Sequence, residues 1–166
     1  AWIYLHRKGN RGIFFYRGGR MLKGISSIIS PELLKILMEM GHGDELVIGD
    51  GNFPAAAYAQ RLVRLDGHGV CDILNAIMQL FPLDQFESQR AFLMEVVPGG
   101  KGAESGDPVI WKAYEEIILK HEPDFPGFGF IERFAFYERS KKSYAIVATG
   151  EQALYANIIV KKGVIS

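Results

Sequence analysis

Alternating helix and strand patterns predict an α/β protein: one three-layer, α/β/α-like domain with a mixed or largely parallel sheet between helices. Three observations carry that expectation. Apolar residues recur at helical spacing near residues 31–38, 70–81 and 108–121, and between these segments lie short aliphatic runs closed by glycine, aspartate or proline. The chain has 166 residues, 48% hydrophobic and 23% charged, enough for one sizeable core. No low-complexity linker or internal repeat divides it, and no apolar run reaches the roughly 20 residues that span a bilayer.

Residues 1–20 stand apart. They carry Arg7, Lys8, Arg11, Arg17 and Arg20 and no acid, and Met21 follows. They read as a leader foreign to the native protein, whose start would be Met21, with residues 21–166 as the domain. A signal peptide fits less well, because the arginines interrupt the apolar residues and no continuous apolar stretch forms. Without the leader, 14 basic residues face 19 acidic ones, a net of −5, where the whole chain has +0. An acidic body argues against a nucleic-acid partner and against an anionic membrane surface.

The first helix has clear punctuation. Ser30 suits the N-cap, Pro31 the first helical position and Glu32 the positive end of the dipole; Leu33, Leu34, Leu37 and Met38 form its apolar stripe, and Gly41 ends it. Leu46-Val47-Ile48 follows as a buried strand closed by Gly49-Asp50-Gly51-Asn52. Between helix and strand lies Met40-Gly41-His42-Gly43-Asp44, a loop that carries a titratable imidazole on a rigid frame. From spacing alone His42 suits either a cap on the helix carbonyls or an acid–base role.

Arg61–Leu65 reads as a strand that ends at Asp66-Gly67. Residues 70–81 read as a helix with Ile73, Leu74, Ile77, Leu80 and Phe81 inward, and Ala91–Val97 as a strand that ends at Pro98-Gly99-Gly100. Asp107 and Pro108 open a helix with Ile110, Trp111, Tyr114, Ile117 and Ile118 on its apolar face. Pro123, Pro126, Gly127 and Gly129 mark a loop, and Arg133–Arg139 a short aromatic-rich helix. Ser143–Thr149 and Asn157–Val160 close the chain as strands. Cys71 is the only cysteine, which excludes a disulfide framework and a thiolate metal site and suits a reducing cytoplasm. The signatures of serine hydrolases, phosphate-loop enzymes, zinc enzymes and dinucleotide binders are absent. The polar groups left near element ends are His42, Asp44, Asp50, Asp66, Arg133, Tyr137, Tyr155 and Asn157. Together they could grip a polyhydroxylated ligand. Singly, Asp50 and Asp66 also suit turns, Arg133 a surface charge and Tyr155 a bridge between core and solvent.

Several motifs in order carry a resemblance. Met21–Ser26, Ile29–Lys35 and Met40–Glu45, then Arg133-Phe134-Ala135-Phe136-Tyr137-Glu138-Arg139, Thr149-Gly150-Glu151 and Tyr155–Val164 are similar to the fucose mutarotase and ribose pyranase family from Met21 to the C-terminus. The Arg133–Arg139 segment resembles the fucose branch, since ribose pyranases tend to carry a histidine where Arg133 stands. Gly51 and Asn52 depart from that pattern, the family more often having Ala at the first position and fucose enzymes often having His at the second. The resemblance implies a cofactor-independent aldose mutarotase acting on L-fucose or a related monosaccharide. It implies His42 as the acid–base group, with Tyr155 and Asp66 as further proton-handling candidates. Asp50, Arg133, Tyr137, Tyr155, Ala156 and Asn157 would hold the sugar. It also implies a homo-oligomer, a decamer of two pentamers with sites completed across subunits. A ribose pyranase and a non-catalytic sugar-binding ring are the alternatives.

Overall fold

A computed structural model describes residues 22–100 and 106–165. The expected leader, residues 1–20, lies outside the described residues. Six strands form one sheet in the order β2-β5-β1-β6-β3-β4. They are β1 (Glu45–Gly49), β2 (Leu62–Leu65), β3 (Ala91–Met94), β4 (Gly129–Ile131), β5 (Ala145–Thr149) and β6 (Ile158–Lys161). β2, β5 and β1 run parallel, as do β3 and β4, while β6 is antiparallel to both β1 and β3. The sheet is therefore mixed, and it lies between two helical layers.

Both faces of the sheet are apolar, which is why its strands read as continuous aliphatic runs. Leu46, Ile48, Ala145, Val147, Ile158 and Val160 face the larger core, packed against α1 (Pro31–Glu39), α3 (Val70–Met78) and α4 (Val109–His121). Val47, Ile146, Ala148 and Ile159 point the other way, toward α2 (Ala55–Tyr58) and α5 (Arg133–Lys142), where Phe53 and Phe136 complete a second core. Gly49 ends β1 under the Phe53 ring; a Cβ there would stand 2.8 Å from the ring carbons.

α1 starts as expected: Ser30 Oγ accepts the Leu33 N–H at 3.1 Å and Pro31 takes the first position. Its stripe is rotated, however, with Leu33, Ile36 and Leu37 buried and Met38 79% exposed. Met40, in an extended conformation, stops the helix one residue before Gly41. Asp107 does not cap α4, whose N-cap is Pro108 without a side-chain bond. α3 opens at Gly69, and its Val70 N–H is met instead by Glu151 Oε2 at 3.2 Å, from the Thr149-Gly150-Glu151 motif. α2 and β4 were not expected; each is four residues or fewer, too short to show a period. The strand expected over Ala91–Val97 ends at Met94, releasing Val96 and Val97 into a loop. Among the described residues no helix is long and apolar enough to cross a membrane.

Candidate active site

Since β6 is reversed, its first residues lie at the same edge of the sheet as the last residues of β1 and β3. At that edge a cavity of about 310 Å³ opens, lined by Asp50, Asn52, Phe53, Arg133, Tyr137, Tyr155 and Asn157, with Met94, Val97, Gly100 and Leu154 as further walls. Ligands of open α/β sheets bind at the carboxyl ends of parallel strands, and this volume is near the small end of ligand sites, roughly 300–1,000 Å³. A larger depression of about 560 Å³ beside Pro108, Trp111 and Phe130 gathers none of the expected site residues.

Asp50, 6% exposed, follows β1 directly. Its N–H donates to Asn157 Oδ1 at 2.8 Å, and its Oδ1 accepts the Asn52 N–H at 2.9 Å. Burial pushes the Asp50 carboxyl above its usual range, and the N–H groups of Asn52, Phe53 and Ala156 with the Asn157 amide only partly offset that. Arg133 opens α5, where Glu132 caps the helix through the Phe134 and Ala135 N–H groups. Its guanidinium lies 4.7 Å from the centre of the Phe134 ring, and its buried Nε has no hydrogen-bond partner. An orphaned donor beside an acceptor-rich pocket is poised for a ligand oxygen. One turn on, Tyr137 faces the same cavity, its hydroxyl held in the neutral form by burial.

Tyr155 has a φ of 56°, the one left-handed non-glycine residue among those described. For a bulky side chain that conformation is strained, and such strain needs a firm surround. α4 supplies it: Trp111 Nε1–H donates to the Tyr155 carbonyl and the Tyr114 hydroxyl to the Ala156 carbonyl, both at 2.8 Å. The Tyr155 hydroxyl accepts the Val97 N–H at 3.3 Å. Ala156 is fully buried, so it can offer only backbone groups.

Two expected residues lie elsewhere. Asp66 is half-exposed and held by Arg64 Nε and Nη2 at 3.0 and 2.7 Å, outside the cavity. His42 precedes β1 whereas Asp50 follows it, so five residues of strand, roughly 16 Å, separate the imidazole from the pocket of its own chain. Nor does His42 cap α1. Its Nε2 bonds Asp84 Oδ1 at 3.1 Å, and the Phe86 ring stands edge-on at 5.6 Å. The Cys71 thiol is pushed up by burial and by nearby Glu151 and Asp72, away from the thiolate a nucleophile needs.

Residues 23–165 match the RbsD / FucU transport protein family. This chain belongs to that family. It is 49% identical over 144 residues to the L-fucose mutarotase of Actinobacillus pleuropneumoniae, covering 87% of this chain and 97% of that one. It is 47% identical over 148 residues to the human fucose mutarotase, covering 87% and 95%. The crystal structure of the fucose mutarotase from Streptococcus pneumoniae in complex with L-fucose is 50% identical and superposes with a TM-score of 0.79, covering 87% of this chain and all of the other. In this RbsD / FucU family member, three residues that hold the cavity's turn or the His42 ring left no local signal in the sequence. Trp111 and Tyr114 read only as an apolar helix face, and Asp84 sits in an unpatterned loop 42 residues from the histidine it holds. A buried polar tip on each aromatic was the one available hint.

Proposed function

We propose that this protein is an L-fucose mutarotase, a cofactor-independent isomerase that interconverts the α and β anomers of L-fucose by opening and closing the ring. The observation that carries the reading is the convergence of Asp50, Arg133, Tyr137, Tyr155 and Asn157 in one small cavity, in a chain half identical to a fucose mutarotase that binds L-fucose. Asp50 and Asn157 accept and donate to sugar hydroxyls, and Arg133 offers its unpartnered Nε–H to a ring or hydroxyl oxygen. The backbone of Ala156 and the strained Tyr155 turn fix the rim against which the pyranose lies.

Ring opening removes the proton of the anomeric hydroxyl and delivers one to the ring oxygen as the C1–O5 bond breaks. Closure on the other carbonyl face reverses both transfers, so protons balance and no oxidant, reductant or cofactor enters. His42 takes the anomeric proton, and the Tyr155 hydroxyl, at the pocket, hands a proton to the ring oxygen. Since His42 stands at the far end of β1 from its own pocket, the imidazole that reaches the sugar comes from a neighbouring copy. The assembly is a ring-built homo-oligomer, a decamer of two pentamers. Large apolar side chains at both places support it: Phe86, 76% exposed beside His42, and Phe134 and Leu154, 62% and 45% exposed around the pocket. Asp66 has no part in this scheme, because Arg64 holds it away. The lone Cys71 suits the cytoplasm.

A second reading, a mutarotase for D-ribose, draws on one observation: Asn52, at a position where the loop departs from the fucose pattern, lines the cavity. Saturation-difference NMR separates them. One anomeric proton of equilibrated L-fucose, and separately of D-ribose, is irradiated and transfer to the other anomer followed with and without protein. Faster transfer with fucose is expected. Acceleration with ribose alone would favour the second reading, and none with either would leave a sugar-binding ring.

A further inference from the structure

The Thr149-Gly150-Glu151 motif, which the sugar chemistry leaves unused, sits where three loops at the pocket's edge of the sheet meet. Glu151 gives its carboxylate to backbone on both sides. Oε2 accepts the Val70 N–H at 3.2 Å, at the start of α3 where the helix dipole favours an anion, and Oε1 accepts the Gln152 and Ala153 N–H groups, both at 3.0 Å. Its main chain is engaged as well. The Glu151 carbonyl accepts the Gly51 N–H at 2.8 Å, beside Asp50, and the Glu151 N–H donates to Thr149 Oγ1 at 3.1 Å. That hydroxyl donates in turn to the carbonyl of Gly49, the end of β1, at 2.9 Å. The loops are pressed together: a Cβ on Gly51 would stand 3.0 Å from the Glu151 carbonyl oxygen, and one on Gly150 would overlap the Asp66 carbonyl.

We propose that Glu151 is a positioning residue of the pocket, a clasp that sets the turn carrying Tyr155 against the loop carrying Asp50. This rests on the reading of that cavity as a sugar site. The cavity is assembled from two strand ends, Asp50 and Asn52 after β1 and Leu154, Tyr155 and Asn157 before β6. Three residues separate Glu151 from Tyr155, and none of them belongs to a helix or strand. The far side of that turn is pinned by α4, through the Tyr155 and Ala156 carbonyls. Its near side is pinned by Glu151. With both ends held, the left-handed Tyr155, at a φ of 56°, keeps one position. The bonds are charge-assisted, and only a carboxylate can accept on both of its ends; an amide would turn hydrogens toward one of them. Glu151 does not line the cavity, so it acts on the sugar only through the residues it places.

The test uses the intact oligomer. Glu151→Ala removes both ties of the side chain. Its kcat/KM for L-fucose exchange, measured per folded protein well below the unfolding temperature, falls about 10- to 100-fold, the scale set by displacing binding or reacting groups by about 1 Å. Amide hydrogen exchange quickens at Gln152, Ala153 and through the turn. A residue that merely capped α3 would lower stability and leave kcat/KM alone. Two further variants separate these roles. Gly69→Ser added to Glu151→Ala gives α3 a cap of its own in the space the carboxylate vacates, where a Cβ at Gly69 would otherwise meet Oε2 at 2.9 Å. In this double variant stability returns while kcat/KM stays low. Glu151→Gln keeps an acceptor for the Gln152 and Ala153 N–H groups and loses only the tie to Val70, so it restores most of the exchange at reduced stability. A normal kcat/KM in Glu151→Ala, or one that recovers with stability in the double variant, overturns the proposal. Should Glu151→Ala fail to fold, the recapped double variant replaces it, and wild-type kcat/KM there overturns the proposal equally. If the wild type exchanges no fucose, the sugar reading fails and the clasp is judged on the amides alone: unchanged protection from Gln152 to Asn157 in Glu151→Ala then removes it.

Discussion

Arg133 and Asp50 each carry a cost of burial at the cavity, an unpartnered donor in one and a desolvated carboxyl in the other. Arg133 keeps a buried Nε–H without a partner, so Arg133→Ala should weaken sugar binding by the worth of a charged hydrogen bond, about 1.5–3 kcal/mol, or roughly 10- to 150-fold in KM. Lysine should not restore it, because one ammonium cannot reproduce the planar fork; steady-state exchange rates of both variants check this. Asp50 makes a pH prediction. Its folded carboxyl lies above the ordinary 3.8, so its contribution to stability is fully present below that value and is lost as pH rises through the raised one. Above that raised value the protein bears a buried negative charge. Asp50→Asn should melt higher than wild type at pH 7, lose less stability between pH 4 and 7, and exchange sugar poorly; thermal unfolding at the two pH values decides it.

Among the elements, α4 does more than cover the sheet. Its Trp111 and Tyr114 hold the two carbonyls of the turn that carries Tyr155. Removing one donor leaves a buried acceptor unpaired, a cost of about 1–3 kcal/mol. Tyr114→Phe keeps the packing and loses only that bond, so denaturant unfolding should show a loss in this range and fucose KM should rise as the turn loosens. Unchanged KM with reduced stability would mean that Tyr155 is held from elsewhere. The reversed β6 is the other decisive element: only an antiparallel strand between β1 and β3 brings Asn157 beside Asp50.

At the scale of the whole molecule, the pocket and the imidazole occupy opposite ends of the β1 strand, so in the proposed mechanism neither is sufficient in a single chain. At sugar concentrations well below KM, His42→Ala is expected to be nearly inactive and Arg133→Ala to be slowed by the same roughly 10- to 150-fold. Mixed by denaturation and reassembly in equal amounts, they should recover up to about a quarter of wild-type exchange, because random assembly pairs an intact His42 with an intact Arg133 at one interface in four. No recovery in demonstrably mixed oligomers would mean that His42 serves its own chain or none.

Local chemistry in the residues determined much of this protein unaided. The α/β alternation, the cap at Ser30, the apolar runs of β1, β5 and β6 and the polar residues that line the cavity beside β6 were legible, since capping, periodicity and loop-borne polar groups are short-range or pattern properties. α2 and β4 escaped, being shorter than any period. So did Asp84, Trp111 and Tyr114, because hydrogen bonds between residues tens of positions apart leave no trace in spacing. Which expected residues share a site was likewise a matter for tertiary structure alone: β1 separates His42 from Asp50, and Arg64 draws Asp66 aside. Eight residues apart in the chain looks close in sequence, but across an extended strand the rise of about 3.3 Å per residue drives the two groups to opposite ends.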